Sequence, residues 1–177
     1  MKKQFFDFRL LSLLPTLGLL VVIFMFSAQT GEESGGLSYA VSIWLVSLFD
    51  RVFQLHIDST TIAIYADAIH TFVRKAAHMT EYALLALSAT LPWFVYHVQH
   101  RRSRLPVTLV FCAASAALDE FHQSFVAGRG PSVADVGIDS LGALLALVFL
   151  QLILWLIRQR AAKQRQALLL DKHRIAE

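Results

Sequence analysis

The sequence predicts an all-α, polytopic membrane protein with four transmembrane helices and an extra amphipathic outer-surface segment between the first and second of them. Hydrophobic residues make up 56% of the 177 residues and charged residues only 16%, whereas soluble domains usually carry about 25% charged residues. The hydrophobic residues are also gathered into blocks close to the roughly 20 residues that cross a bilayer as a helix. A large soluble domain is therefore not expected.

The first span is predicted over residues 10–26, after Lys2 and Lys3. A charged start followed by an apolar run also occurs in signal peptides, but these end in small residues at their cleavage site. Here Phe26 stands two positions before Ala28, and the apolar run is long for a signal peptide. The span is therefore interpreted as an uncleaved membrane anchor.

The region after the first span is mixed in character. The Gly- and Ser-rich stretch "SAQTGEESGGLS" predicts a loop. Residues 37–55 are apolar but carry regularly spaced serines and the charged pair Asp50 and Arg51. An amphipathic helix is predicted to follow, with Asp58 as its N-terminal cap.

The other three spans are predicted over residues 76–98, 105–121 and 133–157. Pro92 is expected to kink the first of these near its end. A basic "RRSR" cluster precedes the third span, and a short Gly-rich loop separates the third from the fourth. Residues 1–157 thus form one membrane domain. Residues 158–177 form a basic tail, predicted to be a helical extension along the membrane surface.

The basic clusters lie beside the apolar spans, which indicates membrane orientation rather than nucleic-acid binding. Lys and Arg are enriched on cytoplasmic flanks, so the N-terminus, the "RRSR" loop and the tail are all predicted to be cytoplasmic. This requires an even number of crossings between the N-terminus and "RRSR". Residues 37–55 are therefore predicted to lie at the outer surface instead of crossing.

Polar side chains form a stripe on each of the last three predicted spans, at the outer end that the topology assigns to them. The stripes are Arg74, His78, Glu81 and Tyr82; Ser115, Asp119, His122 and Gln123, with Glu120 beside them; and Asp135, Asp139 and Gly142. Ionisable groups inside a membrane avoid lipid and face a protein interior or a water-filled cavity. The three stripes are therefore predicted to meet in one polar site.

Two kinds of chemistry fit such a site. His78, Glu81, Asp119, Glu120 and His122 are an oxygen and nitrogen ligand set that suits a divalent metal. The first four of these residues are alternatively candidate general acids and bases. No specific catalytic motif supports either chemistry. Taken singly, a carboxylate at the end of a span is as readily explained by solvation or by capping of the next helix.

Arg129 lies in the Gly-rich loop "AGRGPS" between the last two spans. A guanidinium there is suited to clamping a phosphate or a carboxylate. The alternative is an ion pair with Asp119, Glu120 or Asp135, and in the empty protein we expect Arg129 to fold back onto one of these acids. Glu81 and Asp119 are expected to be buried and to lie close to each other or to a shared partner.

Three stretches resemble the VanZ-like family: "FSAQTG", "RKAAHMTEYALLAL" and "LDEFHQSFVAGRGPSVADVGIDSLGALL". The resemblance extends from about residue 26 to residue 147, and it departs from the family at Asp139, where Asn is common. It implies a small bacterial inner-membrane protein, and the founding member is associated with teicoplanin resistance. The residues that it implies for the site are Ser27, Gln29, Arg74, Lys75, His78, Glu81, Tyr82, Asp119, Glu120, Gln123, Arg129, Asp135 and Gly142.

Three functions remain open from the sequence. The first is a binding protein for the head group of a cell-envelope lipid or cell-wall precursor at the extracytoplasmic face, with Arg129 and Lys75 meeting its phosphate. The second is a metal-dependent membrane enzyme acting on such a lipid. The third is a small proton- or ion-coupled transporter. Membrane lipids are the expected partners in each case, nucleic acid is not, and a divalent metal is the one cofactor under consideration.

Overall fold

The helices of the chain follow one another with short links in a computed structural model that describes residues 8–96 and 101–176. A 3-10 segment, Phe8–Leu13, leads into the first α-helix. The α-helices are α1 Leu14–Ser27, α2 Gly31–Phe53, α3 Ser59–Ala89, α4 Leu91–Val95, α5 Arg101–Gln123 and α6 Val133–Ala176. No strand occurs in these described ranges. The predicted all-α class is confirmed.

Helices α2 and α3 begin at side-chain caps. Thr30 and Glu33 form a capping box at the start of α2, in which the Glu33 N–H donates to Thr30 Oγ1 at 3.2 Å and the Thr30 N–H donates to Glu33 Oε2 at 2.8 Å. Asp58 caps α3 by accepting the Thr61 N–H at 3.0 Å, as the sequence predicts. Each cap satisfies backbone donors that have no partner within the helix. Only the short link from Gln54 to Asp58 separates the two helices, so α2 and α3 form a hairpin.

Helix α3 is the central element of the fold because it contacts two different sets of helices. Its second half lies among α1, α5 and α6, where Tyr82, Leu85 and Ala86 are fully buried. They form the apolar core together with Ile23, Cys112, Ala116, Ala143 and Leu147. Its first half packs against α2, which lies along α3 and not along α1. The chain therefore consists of a bundle of α1, α3, α5 and α6 with an α2–α3 hairpin beyond one end.

The regular serines of residues 37–55 have a packing role. Ser38 Oγ donates to the Ser34 carbonyl and Ser42 Oγ to the Ser38 carbonyl, each at 2.8 Å. All three serines are buried, as is Ala66 on α3. Small side chains with hydroxyls turned back onto their own helix allow two helices to approach closely. The α2–α3 contact is therefore a small-residue interface.

Near Pro92, where the sequence predicts a kink in the span over residues 76–98, the helix is interrupted. The predicted amphipathic helix and the start of this span are a single helix, α3, which ends at Ala89. Pro92 lies in the first turn of α4. The N–H groups of a first turn have no acceptor within the helix, so the missing N–H of proline costs no hydrogen bond there. Residues 97 and 98 lie outside the described residues, as do Lys2 and Lys3.

Four helical segments in the described ranges are long and apolar enough to cross a membrane. They are Arg9–Ser27, Gly31–Phe53, Arg104–Gln123 and Val133–Gln166. The predicted number is thus confirmed, but the set differs. It includes α2, which the sequence assigned to the outer surface, and it lacks α3, whose polar residues are spread along the helix. Helices α1, α5 and α6 surround the second half of α3. That half therefore lies alongside their candidate membrane-spanning segments, although it carries polar residues.

Helix α6 continues from the fourth span into the basic tail without a break. Its 44 residues correspond to a length of about 66 Å at 1.5 Å per residue, about twice the roughly 30 Å hydrocarbon core of a bilayer. The tail is helical, as predicted. Its location along a membrane surface remains a prediction.

Helices α3 and α6 cross closely at Gly142, and this contact is open to a direct test. A Cβ at position 142 would overlap the carbonyl oxygen of Met79, whereas a Cβ at Gly137 meets nothing within 4 Å. We expect Gly142→Ala to destabilise the protein by about 2 kcal/mol, the typical cost of overpacking. Gly137→Ala should be neutral or stabilising, because alanine is the better helix former. Thermal unfolding in detergent measures both, and equal melting temperatures would contradict the close crossing.

Candidate functional site

The polar stripes meet where α1 and α5 end, α6 begins and α3 leaves the bundle. Two deeply buried polar residues there come from α1 and α5: Ser27 is 1% exposed and Gln123 is 6% exposed. Gln123 Nε2 donates to Ser27 Oγ at 2.9 Å and to Asp119 Oδ2 at 2.8 Å. Asp119 is itself buried. Gln123 thus joins the ends of α1 and α5 and supplies the hydrogen bond that a buried carboxylate requires.

Glu120 has a structural partner at the base of the loop that leads to α6. It is buried, and its Oε2 accepts the Ser132 N–H at 2.8 Å. The Ser132 hydroxyl in turn accepts the Asp135 N–H at 3.3 Å, which caps the first turn of α6. Glu120 therefore fixes the start of α6 relative to the end of α5.

Lys75 and Asp135 form an ion pair between α3 and α6. Lys75 Nζ lies 2.7 Å from Asp135 Oδ1. The two side chains are 40% and 36% exposed, so the pair is partly solvated and contributes on the order of 0.2–1 kcal/mol. The positive charge of Lys75 is thereby already matched by a carboxylate.

His78 and Glu81 lie side by side on α3, both partly buried. His78 Nδ1 and Glu81 Oε2 are 3.6 Å apart, which is too far for a hydrogen bond. Neither atom has a hydrogen-bond partner in the part of the chain that the structure describes, although the two lie within ion-pair distance of each other. The expected burial is confirmed for Asp119, while the side chain of Glu81 remains 22% exposed. These two α3 groups are thus free to bind a ligand.

Tyr82 and Asp139 lie deeper in the bundle. Tyr82 is fully buried and Asp139 is 2% exposed. The Tyr82 hydroxyl and Asp139 Oδ1 have no hydrogen-bond partner among the described residues. Asp139 lines the same cavity as His78. This agrees with its place on the polar stripe one turn after Asp135, although the site residues that the family resemblance implies do not include it, since Asn is common at this position.

Arg129 is turned toward the end of α1, and it forms no ion pair with an acid of the described residues. Its Nη2 donates to the Phe26 carbonyl at 3.1 Å, and its Nε has no partner in the described ranges. The predicted ion pair with Asp119, Glu120 or Asp135 is therefore wrong. The physical reason is the course of the loop, which a 3.0 Å hydrogen bond from the Gly31 N–H to the Ala127 carbonyl holds against the α1–α2 link.

The loop conformation depends on two glycines in contact. Gly128 has a φ of 74°, and a Cβ on Gly31 would overlap its carbonyl oxygen. This left-handed conformation favours glycine. The pair sets the position of Arg129, the next residue along the chain. Burial, and then the neighbouring Arg74 guanidinium, lower the pKa of Arg129, while the carboxylates of Asp119, Glu120 and Glu81 act in the opposite direction.

Two cavities meet at Arg74, His78 and Arg129. The larger, of about 210 Å³, lies between α1, α2 and α3 and is also lined by Phe26, Gln29, Ser34, Leu37, Ser38, Ala77 and Glu81. The smaller, of about 80 Å³, lies toward α6 and is also lined by Lys75, Glu120, Gln123, Gly130, Asp135, Ile138 and Asp139. No hydrogen bond or ion pair of Arg74 occurs within the described residues. Two arginine side chains without carboxylate partners therefore stand between the cavities.

A protein-family comparison matches residues 12–156 of the chain to the VanZ/LLP1 family model. The chain belongs to the VanZ/LLP1 family. The resemblance noted from the sequence motifs is thus confirmed. No curated protein and no solved structure gives a significant match.

Most of the residues that the VanZ resemblance implies line the two cavities or hydrogen-bond to a residue that does. Gly142 lies deeper, at the α3–α6 crossing. Ser34, Leu37 and Ser38 of α2 line the larger cavity. The sequence interpretation missed them because it predicted a loop up to Ser38 and placed residues 37–55 at the outer surface. The predicted loop is wrong from Gly31 onward, where α2 begins. The spacing of the serines at every fourth residue was the available signal, since it gives α2 a polar face suited to contact with another helix.

The proposed metal ligands of this VanZ/LLP1 protein are not gathered into one group. Over residues 8–96 and 101–176, no three His, Cys, Asp or Glu side chains are arranged to hold a metal ion. The His122 ring packs against Phe24, with 4.5 Å between the ring centroids, and Glu120 is occupied by the Ser132 N–H. The set of His78, Glu81, Asp119, Glu120 and His122 therefore does not fit a common metal.

The Gln123 hydrogen bonds predict a non-additive pair of substitutions. Gln123→Ala leaves Asp119 buried without its partner, so we expect a loss of about 1–3 kcal/mol in the free energy of unfolding. Replacing both residues by Ala should cost clearly less than the sum of the two single changes, because no unpaired carboxylate then remains. Unfolding of the four proteins in detergent gives the coupling energy. Simple additivity would show that the two side chains do not depend on each other.

Proposed function

We propose that this protein binds the anionic head group of a cell-envelope lipid or lipid-linked cell-wall precursor at the extracytoplasmic end of its bundle. The observation that carries the proposal is the pair Arg74 and Arg129, which share the wall between two cavities and have no carboxylate partner. Lys75, which the sequence suggested for a phosphate, is already paired with Asp135. Arg74 replaces it as the second cation of the site.

An anion accounts for the arginine donors that the protein leaves unpaired. A guanidinium that is partly removed from water loses several kcal/mol unless a partner compensates it. Arginine is well suited to a phosphate because its planar fork offers parallel N–H donors to two oxygens. Arg129 presents an Nε without a partner, and Arg74 faces the same space. A phosphate between the two would satisfy both.

The apolar surroundings of the larger cavity favour a lipid over a soluble anion. Phe26 and Leu37 line it together with Arg74 and Arg129, and their side chains are 39% and 53% exposed. An amphiphile could place its head group at the arginines and its chain against these residues. A small hydrophilic anion would gain nothing from them.

The orientation is part of the proposal. The basic loop and tail support cytoplasmic termini, with the polar site on the outer side of a bacterial cytoplasmic membrane. The packing of α2 against the part of α3 beyond the bundle is consistent with a hairpin on that outer side. Lipid-linked cell-wall precursors are the targets of glycopeptides, so such a site would also give a physical reason for the teicoplanin association of the VanZ family.

The Arg129 side chain gives the sharpest test of head-group binding. Arg129→Lys keeps the charge but loses the planar fork. We expect its affinity for farnesyl phosphate to fall nearly as far as that of Arg129→Ala, by about 10-fold or more, the equivalent of roughly 1.4 kcal/mol. Arg74→Ala should show a similar loss. Microscale titration of the protein in phosphatidylcholine nanodiscs measures these affinities.

Matched controls separate specific binding from general charge. Farnesol has the chain but no phosphate, and it should bind much more weakly to the wild-type protein. Arg51→Ala removes an exposed arginine from the far end of α2 and should leave farnesyl phosphate binding unchanged. Full affinity of Arg129→Lys would reduce Arg129 to a generic positive charge and remove the basis for a shaped phosphate site.

The topology can be tested because the single cysteine, Cys112, is buried and should not react. Single cysteines at Glu32 and Gly130 are expected to react with a membrane-impermeant maleimide added to intact spheroplasts. A cysteine at Gln159 should react only after the membrane is permeabilised. Labelling of position 159 from outside would overturn the proposed orientation.

A further inference from the structure

A second basic cavity lies at the opposite end of the bundle from Arg129. It has a volume of about 150 Å³ and is formed where α4, the start of α5 and the middle of α6 meet. Arg104 of α5 lines it, as do Arg158 and Gln151 of α6. Trp93, Leu105 and Leu154 are among its apolar walls. No carboxylate of the described residues contributes to this lining.

Arg104 has an incompletely satisfied guanidinium. Its Nε is buried and has no hydrogen-bond partner in the described part of the chain. Arg158 is exposed, and no ion pair of either arginine occurs among the described residues. Two cations from different helices thus line one small cavity. An anion bound in this cavity would give both guanidinium groups an ionic partner.

Trp93 also lines a neighbouring cavity of apolar character. This cavity has a volume of about 370 Å³, and its walls include Tyr96, Val107 and Phe111. The Trp93 indole N–H donates to Thr108 Oγ1 at 3.2 Å, which fixes the ring between the two spaces. A basic cavity and an apolar cavity therefore lie on either side of one held indole.

We propose that these two cavities bind one anionic phospholipid, with its phosphodiester between Arg104 and Arg158 and an acyl chain beside Trp93 in the apolar cavity. The charge of the first cavity matches a phosphate, and the lining of the second matches a hydrocarbon chain. Basic pockets between transmembrane helices bind lipid head groups in the same way. This site is separate from the Arg74–Arg129 site and does not depend on the function proposed for it.

The test uses the full-length protein and measures lipid retention by native mass spectrometry. The protein is reconstituted in phosphatidylcholine nanodiscs that contain a minor fraction of phosphatidylglycerol, and the retained lipid is identified after release. We expect preferential retention of phosphatidylglycerol by the wild-type protein. Its affinity should fall about fivefold in Arg104→Gln or Arg158→Gln. It should fall further in the double variant, by a factor that departs from the product of the two single effects because both arginines contact the same phosphodiester.

A control on the same helix shows whether the effect is local. Arg160→Gln removes an exposed arginine two residues from Arg158 that does not line the cavity, and phosphatidylglycerol retention should be unchanged. Arg104→Lys should restore part of the retention that Arg104→Gln loses. Should Arg104 variants fail to fold, Arg158→Gln still decides the matter, since Arg158 is exposed and its removal disturbs no core contact.

Three outcomes would overturn the proposal. Equal retention of phosphatidylcholine and phosphatidylglycerol would exclude recognition of the negative charge. Unchanged retention in the double variant would exclude these arginines. Displacement of phosphatidylglycerol by inorganic phosphate, in a titration of the detergent-solubilised protein, would show that the basic cavity takes a free anion and that the apolar cavity contributes nothing.

Discussion

The arrangement of the fold depends on the need to surround the polar second half of α3. A helix that carries His78, Glu81 and Tyr82 is poorly suited to contact with acyl chains, because lipid offers no hydrogen bonds and little electrostatic solvation. Helices α1, α5 and α6 surround this half, and their apolar outer faces meet the lipid in its place. The close α3–α6 crossing at Gly142 follows from the same need, since close packing brings Asp135 within reach of Lys75.

Within this enclosure the ionisable groups divide into two sets. Asp119, Glu120 and Asp135 each have a partner that belongs to the fold, respectively the Gln123 amide, the Ser132 N–H and the Lys75 ammonium. Their roles are to hold helix ends and the connecting loop in place. Arg74 and Arg129 have no such acidic partner. These three acids therefore build the site. Glu81 and Asp139 also line the cavities, each with a carboxylate oxygen that no hydrogen bond within the described residues satisfies, and the two arginines are the groups available for an anion.

The sequence was sufficient for the fold class, the number of candidate spans, the Asp58 cap and the meeting of the polar stripes. These features follow from local composition and from the intolerance of lipid for charge. The course of residues 37–55 was not predictable in the same way. The parity of the basic clusters placed this apolar segment at the outer surface, whereas its pairing with α3 depends on the fit of Ser34, Ser38 and Ser42 to another helix. That fit appears only when both helices are considered together.

The position of Arg129 shows why the details of the site required the structure. From the sequence, the acids nearest along the chain are its natural partners. In the fold, Gly128 and Gly31 touch, so the loop lies against the end of α1 and the guanidinium reaches the Phe26 carbonyl. The same contact ties this loop to the first turn of α2, which also lines the larger cavity. Displacing α2 from the cavity would break the Gly31–Ala127 hydrogen bond and move Arg129 with it. The position of Arg129 in the cavity wall therefore depends on the position of α2. For the amphiphile that we propose, entry between the exposed side chains of Phe26 and Leu37 would leave this arrangement intact.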